Sequence, residues 1–167
     1  YKFQRPSDIL VVSREVRKSI KSPPHRRAGI KSKVVLYDSA KIPPIHLLGA
    51  HNRENVKAAV AAARAYGVPE RVIRRVLARF TGLPNRLEFV REKNGVKYYN
   101  DTTATSPDAV IASLRALGGE RKNIVLIAGG SDKKLKYDEM ARAIGKYCKA
   151  VVLLPGTATG VIMSKLK

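Results

Sequence analysis

The run Ile124-Val125-Leu126-Ile127-Ala128, ending in Gly129-Gly130, constrains the fold more than any other stretch of the chain. An unbroken apolar run of strand length, rich in β-branched residues, predicts a strand buried on both faces, as in a parallel sheet. Ala150–Leu154, ending at Pro155-Gly156, repeats the pattern. Helical patterns fall before, between and after these runs. One opens at Pro107 and stops at Gly118-Gly119, one spans Tyr137 to Lys146, and a last one starts near Gly160. Upstream, Leu87–Arg91 and Val96–Asn100 flank Asn94-Gly95, a strong hairpin signal. From Arg86 onward the order is therefore β-β-α-β-α-β. It predicts an α/β fold with a mostly parallel sheet, whose ligands gather at the carboxyl ends of the strands.

The first half is less regular. Asp8–Val12, Lys33–Tyr37 and Ile45–Leu48 read as short strands, with a basic loop through Pro23-Pro24-His25-Arg26-Arg27. Two helices follow. Asn52 is placed to cap the first, with Val56, Ala59, Val60 and Ala63 on one face and Gly67 as its stop. In the second, after Pro69, Val72, Ile73, Val76, Leu77 and Phe80 form the apolar stripe, opposite Arg71, Arg74, Arg75 and Arg79. Gly82-Leu83-Pro84 breaks the pattern, which divides the chain into residues 1–82 and 83–167.

Composition excludes several classes. With 44% hydrophobic residues the chain can bury a core. No apolar run approaches the ~20 residues of a membrane span. The start, Tyr1 to Pro6, lacks the apolar segment of a secretory signal. A lone cysteine, Cys148, excludes an internal disulfide and a cysteine zinc site, and a cytoplasmic setting is the expectation. It reads as a buried thiol at the end of a late helix. The net charge of +20 raises the question of nucleic acid. The basic residues are spread along the chain, and aromatic residues make up only 6% with no Trp, so a stacking groove is poorly supplied and nucleic acid is not expected as partner. A basic surface favours anionic small ligands.

Four polar clusters fall at strand ends or helix starts. Gly49–Asn55 carries the amides of Asn52 and Asn55, which can bind a purine or ribose or merely cap a helix. In Leu83-Pro84-Asn85-Arg86-Leu87-Glu88, Arg86 can reach an anion or form a surface salt bridge with Glu88 or a neighbour. Asn100-Asp101-Thr102-Thr103-Ala104-Thr105-Ser106-Pro107 joins a strand end to a proline-opened helix, a geometry suited to anions, and Asp101 suits ribose hydroxyls or a metal shell. A plain capped turn needs one hydroxyl, and this loop has four. Gly129-Gly130-Ser131-Asp132-Lys133-Lys134 offers close backbone approach and a cation for a carboxylate. No P-loop occurs, and His25, His46 and His51 are too scattered for a triad or a metal pair.

These clusters, in this order and spacing, resemble the Mur ligases, ATP-dependent amide ligases of peptidoglycan precursor synthesis, and within them the branch that adds D-glutamate. Leu48–Asn55 with its alanine-rich helix is similar to the end of the family's central ATPase domain. Leu83–Glu88 and Asn100–Ala109 are similar to the entry of its Rossmann-like C-terminal domain. The resemblance implies that residues 1–82 are the C-terminal part of the central ATP-binding domain and 83–167 an incomplete Rossmann-like ligase domain. It implies Asn52 and Asn55 on the adenine side of ATP, and Arg86 and Asp101 at its phosphate and ribose. Thr105 and Lys133 would hold the carboxylates of D-glutamate. UDP-N-acetylmuramoyl-L-alanine would be the other substrate, and Mg2+ would accompany ATP with its ligands outside this chain. A monomer is expected.

The sequence also departs from the family pattern. Thr103 stands where lysine is frequent in this branch, and Asn85 where histidine is common. The UDP-binding domain, the phosphate loop, the acidic magnesium ligands and the central-domain lysine are not in the sequence, so an internal fragment, inactive alone, is implied. Two alternatives stand beside this reading: a sibling ligase adding another amino acid, and a non-catalytic basic α/β module binding nucleotide or nucleic acid.

Overall fold

The computed structural model describes residues 5–20 and 32–166. The chain divides into two compact units, one made of the residues up to Leu47 with His51–Thr81, the other of Leu48–Ala50 with the chain from Gly82 onward.

The first unit opens with β1 (Ile9–Val12), α1 (Arg14–Ser19) and β2 (Lys33–Leu36); β1 and β2 pair in parallel, with Leu10 opposite Val34. The short α1 was not anticipated. Its signal is Ser13, whose hydroxyl accepts the Val16 amide at 3.0 Å. The loop expected through Pro23–Arg27 lies outside the described residues. Ile45–Leu48 is not a strand. Pro43-Pro44 removes two backbone donors just before it, and Ile45 and Leu47 instead pack onto the core of Val56, Val60 and Ile73.

That core is formed by α2 (Ala50–Ala65) and α3 (Glu70–Arg79). Asn52 does not cap α2, because the helix already begins at Ala50, after Gly49 in a left-handed conformation (φ 88°). Asn52 is therefore the third residue of the helix, within its first turn, and buried. Val56 and Val60 face inward as expected, Ala59 is exposed and Ala61 buried. Pro69 caps α3, its carbonyl accepting from Val72 at 2.9 Å. On α3 only Ile73 is fully buried; Val76, at 55% exposure, leaves the stripe. The four arginines lie outside the core, with Arg74 3.7 Å from Glu70. Arg64 meets Glu70 in a bidentate pair at 2.8 and 2.9 Å, which ties the end of α2 to the start of α3. The Arg64 hydrogen bond holds the Glu70 carboxyl below its usual range.

The second unit contains β3 (Glu88–Lys93), β4 (Val96–Asn100), α4 (Pro107–Leu117), β5 (Ile124–Ala128), α5 (Asp138–Tyr147), β6 (Cys148–Leu153) and α6 (Thr157–Lys165). Asn94-Gly95 makes the predicted hairpin, both residues at positive φ (52° and 75°), and β3 and β4 are antiparallel. β5 and β6 are parallel, with Leu126 opposite Val151. The strands thus form three two-stranded sheets among the described residues rather than one mostly parallel sheet. The class remains α/β.

Ile111, Leu114, Met140, Ile144 and Ile162, from α4, α5 and α6, form the core with Ile124, Leu126, Val151 and Leu153 of the sheet against them. The expected burial of β5 on both faces is not met. Val125 and Ile127 are 50% and 64% exposed, because the helices of the described chain cover one face only. Cys148 is buried as expected, but as the first residue of β6 rather than on a helix, and burial pushes its thiol pKa up. The last helix starts at Thr157, earlier than Gly160 suggested.

Candidate functional site

The strongest constraint on the site lies at the entry to β3. Asn85 and Leu87 both have positive φ, 62° and 45°, a conformation that costs a non-glycine residue on the order of 1–3 kcal/mol unless its surroundings impose it. They do. The Asn85 amide donates to Glu88 Oε2 at 2.7 Å, and Asn100 Nδ2 donates to Asn85 Oδ1 at 2.8 Å. The Asn85 carbonyl accepts the Thr103 amide at 3.1 Å and its hydroxyl at 2.9 Å. The Leu87 amide donates to Asp101 Oδ1 at 2.8 Å, and the Leu87 side chain is buried. Arg86, between the two, is exposed, and its side chain has no polar partner among the described residues. Arg86 forms no salt bridge with Glu88 or any other described residue; the Glu88 carboxylate instead accepts the Asn85 amide.

The loop from β4 to α4 supplies the other half of this cluster. Asp101 follows β4 directly, and its second carboxylate oxygen accepts the hydroxyl of Ser113 on α4. Ser106 caps α4 by accepting the Ala109 amide at 3.3 Å. Of the four hydroxyls, Thr103 and Ser106 are thus used structurally. Thr102 and Thr105 are exposed, and their hydroxyls have no partner among the described residues. Thr105 sits one residue before the capped, positive end of an 11-residue helix, a location that favours anions.

Lys133 lies past the carboxyl end of β5, in a loop held by a separate set of bonds. The Gly130 carbonyl accepts the Ala158 amide at 3.0 Å, and a Cβ on Gly156 would come within 2.3 Å of that carbonyl oxygen. The Asp132 amide donates to Thr157 Oγ1 at 2.8 Å. Asp132 Oδ1 accepts the Lys134 amide at 2.8 Å and the Tyr137 hydroxyl at 3.0 Å. Tyr137 is buried in the core, and that burial, with the Asp132 carboxylate second, raises its phenol above the ordinary range. Lys133 itself is exposed, and its side chain has no polar partner among the described residues.

In the first unit, Asn52 and Asn55 stand three residues apart on α2, but Asn52 is buried and Asn55 exposed, so the two amides do not present one shared polar edge. Among the described residues no group of three or more His, Cys, Asp or Glu is placed to hold a metal. No helix among the described residues is long and apolar enough to cross a membrane. Ser113 and Tyr137 carry bonds that the sequence reading assigned to no site. Only Ser113 had a signal, a hydroxyl on a helix whose neighbour Leu114 is core.

Residues 85–166 match the model of the Mur ligase, glutamate ligase domain. Residues 85–166 thus belong to the Mur ligase family. It is 50% identical over 123 residues to a UDP-N-acetylmuramoylalanine--D-glutamate ligase of Roseiflexus, covering 74% of this chain and 26% of that protein. It is 42% identical over 133 residues to the enzyme of the same name from Symbiobacterium thermophilum, covering 80% and 28%. Against that from Pelotomaculum thermopropionicum the identity is 47%, over 70% of this chain and 25% of the relative. The chain spans about a quarter of the length of the curated relatives it matches. The matched segment begins at Asn85, so it contains both the Arg86–Asp101 cluster and the Lys133 loop.

Proposed function

We propose that this chain is the C-terminal part of an ATP-dependent amide ligase that adds D-glutamate to UDP-N-acetylmuramoyl-L-alanine in peptidoglycan precursor synthesis. The observation that carries this reading is the pinning of Arg86 as a free cation between two left-handed residues, held by Asn85 and Asp101 bonds to the next loop. The names of the relatives, D-glutamate ligases of UDP-N-acetylmuramoylalanine, point to the reaction.

In that reaction ATP phosphorylates the carboxylate of UDP-N-acetylmuramoyl-L-alanine. The D-glutamate amine attacks the acyl phosphate, and the tetrahedral intermediate expels phosphate to leave the amide. Such chemistry needs positioning and charge stabilisation rather than a protein nucleophile. Arg86 meets the phosphates, and Asp101 the ribose. Asn52 and Asn55 belong to the adenine side, with Asn55 the more accessible. Lys133 and Thr105 hold the D-glutamate carboxylates, since a dianionic amino acid requires a cation and hydroxyl or amide donors. No residue of this chain is assigned to magnesium. Residues 1–82 are then the end of the central ATP-binding domain and 83–167 the ligase domain, in a cytoplasmic, monomeric enzyme.

The test is ATP-dependent phosphate release by the intact reading frame around this chain, with UDP-N-acetylmuramoyl-L-alanine and each candidate amino acid in turn. Release with D-glutamate alone, lost in Lys133→Ala, is the expected result. Release with a different amino acid would transfer the chain to a sibling ligase. No release from a folded protein, together with steeply salt-dependent oligonucleotide binding, would favour the basic binding module.

A further inference from the structure

The loop that carries Lys133 is tied to the core by side chains that have no part in the proposed reaction. The bond from Lys134 N to Asp132 Oδ1 closes a turn around Lys133, and Lys134 takes a left-handed conformation (φ 56°) to close it. The carboxylate that accepts this bond is fixed in turn by the Tyr137 hydroxyl, and Tyr137 is 7% exposed, packed with Ile111, Leu114 and Met140. On the other side the Asp132 amide is fixed by Thr157 at the first residue of α6. A flexible lysine side chain loses binding energy when its backbone wanders, and small displacements of a positioning group carry large kinetic costs.

We propose that Tyr137, Asp132 and Thr157 are positioning residues that aim Lys133 at a carboxylate of the incoming amino acid. This rests on the reading of Lys133 as a D-glutamate contact. Asp132 acts through its Oδ1 as an acceptor, not through its charge. An anion adjacent to Lys133 in sequence otherwise competes with the substrate carboxylate for the same cation. Directing Oδ1 onto the Lys134 amide and the Tyr137 hydroxyl engages it elsewhere.

The experiment uses the intact enzyme and compares Lys133→Ala, Tyr137→Phe, Thr157→Val, Asp132→Ala and Asp132→Asn. For each, KM for D-glutamate, KM for ATP, kcat and the melting temperature are measured. Tyr137→Phe and Asp132→Ala are expected to raise KM for D-glutamate on the order of tenfold, the equivalent of one hydrogen bond lost to a charged partner. KM for ATP should stay within about twofold, since Arg86 and Asp101 are held by other bonds. Thr157→Val should act in the same direction. Asp132→Asn keeps Oδ1 and should restore a KM for D-glutamate near that of the parent enzyme. If Asp132→Asn is as impaired as Asp132→Ala, the carboxylate charge matters and the positioning role is overturned. A parallel rise of both KM values with a lower melting temperature in Tyr137→Phe would reduce the network to scaffolding and overturn it as well. Should Lys133→Ala itself leave KM for D-glutamate unchanged, the assignment of Lys133 falls, and the inference with it. A large effect of Lys133→Ala with none from the three positioning sites would retain that assignment and sink only the inference.

Discussion

Asp101 Oδ1 accepts the backbone amide of Leu87 at 2.8 Å, so the carboxylate that ends one strand of the hairpin also imposes the left-handed residue that begins the other. This bond joins residues 14 apart in sequence and leaves Arg86 outside it, exposed. Any role of Asp101 toward a ribose is therefore superposed on a structural one.

Removing that carboxylate should cost stability as well as function. Asp101→Ala strands the Leu87 amide and leaves the Ser113 hydroxyl only its bond to the Ala109 carbonyl at 3.2 Å, and is expected to lower the free energy of unfolding by about 1–3 kcal/mol. Asp101→Asn keeps an acceptor for Leu87 and should lose less than half of that, since the Ser113 hydroxyl can turn to accept from the new amide. Urea unfolding followed by circular dichroism measures both. Equal losses in the two variants would show that the carboxylate charge, rather than the bond to Leu87, provides the stabilisation.

Three glycines of the second unit should respond in opposite directions. Gly156→Ala would place a methyl 2.3 Å from the Gly130 carbonyl oxygen, backbone that cannot swing aside. A loss of about 1–3 kcal/mol is expected from that overpacking. Gly145 and Gly160 lie inside α5 and α6 with nothing within 4 Å of an added Cβ. Alanine at either should stabilise by about 0.5–1 kcal/mol through helix propensity. Melting curves of the three variants suffice, and a destabilising Gly160→Ala would contradict the packing described for α6.

The link between α2 and α3 should weaken in acid. Because Arg64 lowers the Glu70 carboxyl in the folded chain, the pair contributes fully above the ordinary glutamate range. That contribution fades as pH falls through the lower folded value, where Glu70 takes up a proton. Glu70→Gln should therefore melt lower than the parent near neutral pH and converge with it below the carboxylate range. Both groups are partly exposed, so the difference should shrink in high salt. A difference that is independent of pH would mean the hydrogen bonds, not the charges, hold the junction.

Cys148 should be slow to react. Its thiol is buried at the start of β6 and its pKa is raised by that burial. Modification by an aromatic disulfide reagent near pH 8 is expected to run many times slower than in denaturant. Equal rates in the two conditions would mean that β6 opens readily from the end where Cys148 sits.

Much of the second unit was legible in sequence. Asn94-Gly95 can hardly be other than a tight hairpin turn, and Pro107 after Ser106 marks a helix start through rules that act within four residues. Asn52 shows where such local rules mislead. It has the chemistry of a cap, yet Gly49 in its left-handed conformation lets the helix begin earlier and places Asn52 inside. Val125 and Ile127 show the opposite failure: an apolar run records a capacity for burial on both faces, while actual cover depends on which helices pack there.

By itself the sequence determined the α/β class, the order of most elements and the polar loops where chemistry can sit. These follow from periodicity, turn residues and caps, which are properties of neighbouring side chains. Only the tertiary structure decided which of those polar residues are free and which are committed. Thr103 is spent on Asn85, Asp101 on Leu87 and Ser113, and Asp132 on Thr157 and Tyr137, while Arg86, Thr105 and Lys133 are exposed. Hydrogen bonds such as that between Asp132 and Thr157, 25 positions apart, depend on how the chain returns on itself, and no local pattern encodes that.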